Sequence, residues 1–177
     1  MKHLLLTILL LLPPSLLQAQ QTKQVTQVID GGHIVLAGNQ TIALMGVDAP
    51  MFPKEKLDKD GKVKKNDSAA EGWAVKSKAF VEGMILNRDV WLEYDKKQSN
   101  AAGETQAYVY FKLDGAKNLG GGGEKIVLTS GTYMINRLLV QYGMANSAGG
   151  GYKYHAEFNQ LQSEAQQQRL GLWMNNY

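Results

Sequence analysis

Three side chains are of the types that perform acid–base or metal chemistry. His33 carries an imidazole, which binds divalent metals or transfers protons near neutral pH. Asp48 and Glu104 carry carboxylates, which bind cations or orient water. His33 with Asp48 could form a metal site or an acid–base pair, and Asp48 with Glu104 could hold a cation. Each hypothesis has a simpler alternative. His33 could be an ordinary polar surface residue, and two carboxylates are too few ligands for calcium. Asp48 could accept hydrogen bonds from backbone donors at the end of its strand.

The elements that must position these residues follow from the spacing of apolar side chains. Alternating apolar residues predict strands, and apolar residues three and four apart predict helices. The predicted strands cover residues 25–29, 34–36, 41–47, 90–94 and 107–111, and the predicted helices cover residues 68–86, 132–142 and 154–169. This order favours an α+β fold, in which a five-stranded OB-type β-barrel carries three α-helices.

Glycine-rich segments predict two loose connections. Residues 119–124 contain four consecutive glycines and read as a flexible excursion, with a short strand possible at residues 126–128. Residues 149–151 are three further glycines and predict a loop before the last helix.

Residues 1–19 have the three-part layout of a secretory signal peptide. Lys2 and His3 precede an apolar run from Leu4 to Leu12, and Ala19 offers a small residue at a cleavage point. The apolar run is far shorter than the ~20 residues that span a bilayer, so we expect no stable membrane span. The sequence therefore predicts an exported protein, either periplasmic or extracellular.

The charge balance of the remaining chain is nearly even. Without Lys2, 18 basic side chains stand against 16 acidic ones, and the formal charge is about +2. Tight binding of nucleic acid depends on neutralising many phosphates at once, so this balance does not predict it. The chain contains no cysteine, which excludes disulfides and thiolate chemistry.

Two features could contact nucleic acid, and each has a simpler interpretation. The lysines between residues 54 and 65 alternate with acidic residues, which is typical of a solvated loop. Tyr108, Tyr110 and Phe111 could stack on bases, as exposed aromatics of OB-type barrels do, but core packing is the commoner role for a strand of this kind.

The order and spacing of several motifs resemble the staphylococcal-nuclease-like (thermonuclease-like) domain family. These motifs are VIDGGHIVL, TIALMGVDAP, VWLEYDK, AYVYF, NRLLVQYGMA and the terminal GLW, and they cover a domain from residue 24 to residue 174. The resemblance implies an OB-barrel with three helices. It also implies that active relatives are calcium-dependent phosphodiesterases that cut DNA and RNA.

The resemblance assigns metal and water roles to three positions of this chain. Active relatives read D-G-D-T in the first turn, and their second Asp, a calcium ligand, corresponds to Gly32, with His33 in place of the Thr. The second metal ligand corresponds to Asp48, which keeps its carboxylate. The Glu that handles the attacking water corresponds to Met51.

The resemblance also assigns phosphate-binding roles to two positions. One arginine of active relatives corresponds to Ala43, and the other corresponds to Glu104, which has the opposite charge. No arginine stands between Arg88 and Arg137, so no small shift of the alignment restores one. One of five charged functions therefore remains in this chain.

These substitutions lead to three functional hypotheses. The first is a degenerate, non-catalytic nuclease-like domain that acts as a binding or interaction module, with a nucleic-acid or protein partner bound weakly and no cofactor. The second is a divalent-metal-dependent nuclease with a site rebuilt from His33, Asp48 and Glu104, with calcium or another divalent ion as cofactor. The third is a structural accessory of a larger envelope complex.

Overall fold

The computed structural model describes residues 21–52, 69–121 and 124–174. The predicted signal peptide, the lysine-rich loop and the predicted start of the first helix at Ser68 lie outside these residues. In chain order the elements are β1 (Lys23–Val28), β2 (His33–Leu36), β3 (Gln40–Leu44), β4 (Val47–Asp48), α1 (Ala69–Ile85), β5 (Asp89–Glu93), β6 (Gln106–Leu113), β7 (Lys117–Gly121), β8 (Glu124–Leu128), β9 (Gly131–Met134), α2 (Ile135–Gln141), β10 (Asn146–Ser147), α3 (His155–Gln167) and a 3-10 helix (Gly171–Trp173).

Five of the strands close into a barrel. They run in the order β3-β2-β1-β5-β6, and a parallel pairing between β3 and β6 joins the two ends. The other pairings of the barrel are antiparallel, and β9 adds a further antiparallel strand beside β6. The predicted α+β architecture, a five-stranded OB-type barrel with three helices, is confirmed.

The core lies inside the barrel and beneath the helices. Val25, Ile34 and Ile42 are fully buried on the inner face of neighbouring strands, as the alternation of their strands requires. Helix α1 adds Val81 and Met84 to the same cluster at helical spacing. A second cluster around Phe158 and Tyr108 joins α3 to the outside of β6.

Three predicted boundaries were wrong. The helix predicted from residue 132 begins only at Ile135, because residues 131–134 pair with β6 as strand β9. The described residues of the predicted glycine-rich excursion, 119–121 and 124, instead pair in the strands β7 and β8. The predicted third strand stops at Leu44, because Gly46 adopts a positive φ of 76° that breaks the ladder before β4.

No helix among the described residues is both long enough and apolar enough to cross a membrane.

Candidate functional site

A cavity of about 420 Å³ opens at one end of the barrel, between the turn before β2, the end of β3, β4 and the loop before β6. We call it the acidic pocket. The six positions compared with the nuclease motif all line it: Gly32, His33, Ala43, Asp48, Met51 and Glu104. Asp30, Asn100 and Gln106 also line it. The fold therefore brings together residues that are up to 76 positions apart in the chain.

The pairing of the strands explains how these residues meet. His33 is the first residue of β2, and its backbone lies opposite Ala43 of β3 in the antiparallel register. Ala43 in turn lies beside Gln106 at the start of β6, through the parallel pairing that closes the barrel. The loop before β6 carries Glu104 to the same end of the barrel, so the closure of the barrel builds the pocket.

His33 is held between two carboxylates. Its Nδ1 lies 2.9 Å and 3.1 Å from the two carboxylate oxygens of Asp30, and its Nε2 lies 3.6 Å from Oε2 of Glu104. Asp30 also accepts a hydrogen bond of 2.7 Å from the backbone N–H of Gly32, which fixes the turn. His33 is thus part of a network with Asp30 and Glu104, and its expected partner Asp48 is not among its contacts.

Asp30 is a site residue that the sequence analysis did not single out. The Asp-Gly-Gly sequence is typical of a tight turn, and Asp30 stabilises that turn by accepting a hydrogen bond from Gly32. The separation of three residues between Asp30 and His33 was the available signal, because a turn of that length returns the chain to the same face.

The network raises the pKa of His33 and lowers the pKa of Asp30. The hydrogen bond with Asp30 raises the pKa of His33 above its ordinary value of 6.5, against the effect of burial, and the charges of Asp30 and Glu104 act in the same sense. Burial alone would raise the pKa of Asp30, but the hydrogen bonds from His33 and Gly32 outweigh it and hold the pKa below 3.8. Both shifts favour an imidazolium between carboxylates.

A tight loop fixes the position of Glu104. The side chain of Asn100 donates a hydrogen bond of 2.6 Å to the Glu104 carboxylate and accepts hydrogen bonds from the backbone N–H groups of Ala102 and Glu104. Gly103 adopts a positive φ of 79°, which this turn requires. Glu104 is therefore built into the rim of the pocket.

Asp48 stands apart from this network. It is exposed in β4, which pairs with β10, and its carboxylate accepts no hydrogen bond from any described residue. The expectation that Asp48 serves backbone donors at the strand end is therefore not met within the described chain.

Three of the six positions compared with the nuclease motif, Gly32, Ala43 and Met51, are apolar or lack a side chain. Ala43 is 4% exposed and forms part of the pocket wall, whereas Met51 is 63% exposed at its mouth. A Cβ atom at Gly32 would meet Asp30 and Ala49 at 3.6 Å and 3.7 Å, which are ordinary contacts. Neither Ala43 nor Met51 can donate a hydrogen bond or carry charge.

The described lining of the pocket carries a net negative charge. Asp30, Asp48 and Glu104 face one imidazole, and none of the described lining residues is a lysine or arginine. Within the described parts of the chain, no group of three or more His, Cys, Asp or Glu residues is arranged to hold a metal ion. His33, Asp48 and Glu104 therefore share the cavity without forming a set of ligands.

Tyr152 and Tyr154, the aromatic residues that follow the glycines at 149–151, are engaged in packing. Tyr152 places its hydroxyl 3.3 Å from the carbonyl oxygen of Gly46 and 2.9 Å from Oγ of Ser147. Tyr154 donates to Glu93 and lies edge-on to Tyr108, with 4.6 Å between the ring centroids. The glycines at 149–151 supply no ring themselves, so this region has no free stacking platform.

The aromatic residues of β6 have structural roles. Tyr108 and Phe111 are fully buried, and Tyr110 stacks on Trp91 with 5.8 Å between the ring centroids. The interpretation of this strand as core packing agrees with its burial.

The closed barrel, its three helices and the pocket at the β2–β3 end define a nuclease-type OB-fold domain. The profile of the family described as Staphylococcal nuclease homologue matches residues 41–175, and the chain belongs to that family.

Individual relatives agree with this assignment. The chain is 26% identical to a thermonuclease of Staphylococcus hyicus over 161 residues, covering 88% of this chain and 78% of the relative. It is 27% identical to a thermonuclease of Staphylococcus intermedius over 156 residues, covering 84% and 74% of the two chains. It is also 25% identical to an uncharacterized protein of Methanocaldococcus jannaschii over 160 residues, covering 85% and 70%.

Proposed function

We propose that this protein is a non-catalytic member of its family and acts as an exported binding or interaction module. The observation that carries the proposal is the acidic pocket, whose described lining consists of three carboxylates, one imidazole, two carboxamides and apolar side chains, with no lysine or arginine among the described residues.

The chemistry of phosphodiester hydrolysis explains why this lining matters. Attack by water places extra negative charge on the phosphoryl oxygens, and cationic side chains or a metal must stabilise that charge. Loss of one preorganised donor commonly lowers the rate by roughly 10² to 10³. Ala43 supplies no donor, and Glu104 adds a charge that repels the substrate.

The state of His33 supports a structural role in place of a catalytic one. Its Nδ1 is bound to Asp30 and its Nε2 faces Glu104, so each ring nitrogen already has a carboxylate partner. An imidazolium between two carboxylates is a poor general base, because its proton is stabilised by both. The imidazolium therefore already has anionic partners within the chain and needs no substrate to supply them.

The sign of the pocket also bears on its ligand. Among the described lining residues, three carboxylates against one imidazole give a negative charge whether or not His33 is protonated. A group that is neutral or positively charged, such as a side chain of a protein partner, suits this potential better than a phosphate does.

The alternative function is a divalent-metal-dependent nuclease with a rebuilt site. One observation favours it. Metal-binding histidines commonly place one ring nitrogen against a carboxylate and direct the other at the metal. His33 places Nδ1 against Asp30 and directs Nε2 toward Glu104. Asp48, which has no described hydrogen-bonding partner, would have to supply a further ligand.

A cleavage assay separates the two functions. The purified protein is incubated with single-stranded DNA and RNA in calcium, magnesium, manganese or zinc, beside an Asp48→Ala variant. We expect no cleavage above background and no rise in melting temperature with any metal. Cleavage that Asp48→Ala abolishes would establish the alternative.

The export component of the proposal rests on the composition of residues 1–19. N-terminal sequencing of the protein from fractionated cells tests it. We expect a mature chain that starts near Gln20 in the periplasm or medium, and an intact N-terminus in the cytoplasm would contradict export.

A further inference from the structure

A second cleft lies at the other end of β6. It has a volume of about 350 Å³ and is lined by Arg88, Lys117 and residues 113–116. We call it the basic cleft. The acidic pocket includes Gln106 at the start of β6 and the basic cleft includes Leu113 at its end, so about 23 Å of strand separates them at ~3.3 Å per residue.

The two cations of the basic cleft come from firmly placed parts of the chain. The backbone of Arg88 donates to the carbonyl of Ile85 at 3.0 Å and accepts from the N–H of Val25 at 2.9 Å, which anchors the turn between α1 and β5. Lys117 is the first residue of β7 and pairs with Leu128 of β8. The fold therefore directs two positive side chains into one cleft.

These cations lack a counter-ion within the described chain. Both residues are half-buried, and neither side chain forms a hydrogen bond or ion pair with a described residue. Burial and the charge of Arg88 both lower the pKa of Lys117. Each charge thus destabilises the other when the cleft holds no anion.

Asp114 also lines the cleft, but it does not balance this charge. Its carboxylate is 83% exposed and lies 3.4 Å from Nζ of Lys112. A carboxylate close to Lys117 would raise the pKa of that lysine, whereas the pKa is lowered.

We propose that the basic cleft binds an oxyanion of the phosphate type. The guanidinium of Arg88 can donate to two oxygens of such an anion in a planar fork, and Lys117 supplies a point charge to a third. The backbone N–H groups of Gly115 and Ala116 in the adjoining turn donate to no described residue and are free to add hydrogen bonds. The anion can come from a nucleic-acid backbone or from a free phosphate ester, because both present the same oxygens.

Titration with inorganic phosphate at constant ionic strength, balanced with sodium chloride, tests the proposal. We expect saturable shifts of the amide resonances of Gly115, Ala116 and Lys117, and a melting temperature that rises with phosphate. Arg88→Gln and Lys117→Gln should each weaken phosphate binding by about tenfold or more, as expected for hydrogen bonds to charged groups.

Lys97→Gln is the matched control, because it removes one positive charge from an exposed residue beyond the far end of β5. We expect it to bind phosphate as the parent does. Shifts that do not saturate, unchanged binding in both cleft variants, or an equal loss in Lys97→Gln would overturn the proposal.

Lys117→Gln remains decisive if Arg88→Gln fails to fold. Because it removes a like charge, it should raise the melting temperature in phosphate-free buffer and abolish the further rise with phosphate. A short single-stranded oligonucleotide then identifies the source of the anion. Displacement of bound phosphate supports the proposal with a nucleic-acid backbone as ligand, and retention supports it with a free phosphate ester.

Discussion

At the scale of single residues, the decisive feature is the use of His33. Its imidazole lies between Asp30 and Glu104, and these contacts pair the imidazole with carboxylates of the same chain. The position aligned with a phosphate-binding arginine has thus become a partner of histidine. Glu104 thus contacts an imidazole at the position where the resemblance expects an arginine.

This network predicts a dependence of stability on pH. Folding raises the pKa of His33 above 6.5, so its stabilisation is complete below that value and is lost as the pH rises through the folded pKa. Folding lowers the pKa of Asp30 below 3.8, so its stabilisation is present above that value and is lost as the pH falls through the folded pKa. The network therefore stabilises the fold most between the two ordinary values.

His33→Gln should reduce the free energy of unfolding at pH 5.5 by about 1 kcal/mol. It should also flatten the decline of that free energy above pH 6.5. Urea denaturation across the pH range measures both effects. His155→Gln is the control, because that imidazole contacts Asn159 and pairs with no carboxylate among the described residues. An unchanged pH profile in His33→Gln would show that the network does not contribute.

At the scale of elements, the pocket depends on close packing between a turn and a helix. A Cβ atom at Gly31 would lie 1.9 Å from Oγ and 2.7 Å from Cβ of Ser77, which is fully buried in α1. The absence of a side chain at Gly31 lets the turn that carries Asp30 and His33 rest directly on the helix. This contact links the position of α1 to the geometry of the pocket.

Gly31→Ala should therefore destabilise the protein by about 2 to 3 kcal/mol, in the range for overpacking of a tight contact. Thermal or urea denaturation measures the loss. Gly149→Ala is the matched control, because an added Cβ there meets nothing within 4 Å, and its effect should stay within about 0.5 kcal/mol. Equal effects of the two substitutions would refute this account of the contact.

At the scale of the whole molecule, the sequence predicts the frame better than the site. Alternating strands and three amphipathic helices indicate the barrel, because burial imposes periodicity on each element. The β7–β8 hairpin cannot be predicted in this way. Gly120 and Gly121 weaken the strand pattern, and the strand is defined by its pairing with β8. The start of α2 also depends on pairing, because β9 takes the residues that precede Ile135.

The dependence on strand pairing also limits how much of the site can be predicted from the sequence. His33, Asp48 and Glu104 are identifiable as types, but only the closure of β3 on β6 decides which of them meet. Arg88 and Lys117 meet at one cleft through a tertiary arrangement that no spacing in the sequence states. The periodicity of apolar residues predicts the barrel and its helices, whereas the fold determines which residue each charged side chain contacts.

The protein keeps the fold of a nuclease, and we propose that only the catalytic side chains are missing. Restoring the missing charged side chains tests this proposal most directly. The variant combines Gly32→Asp, Ala43→Arg, Met51→Glu and Glu104→Arg, and the space around Gly32 admits an added Cβ atom. We expect the folded variant to show weak calcium-dependent cleavage of single-stranded DNA, absent from the parent and abolished by adding Asp48→Ala. A folded variant without any cleavage, or a parent that already cleaves with calcium, would contradict the account.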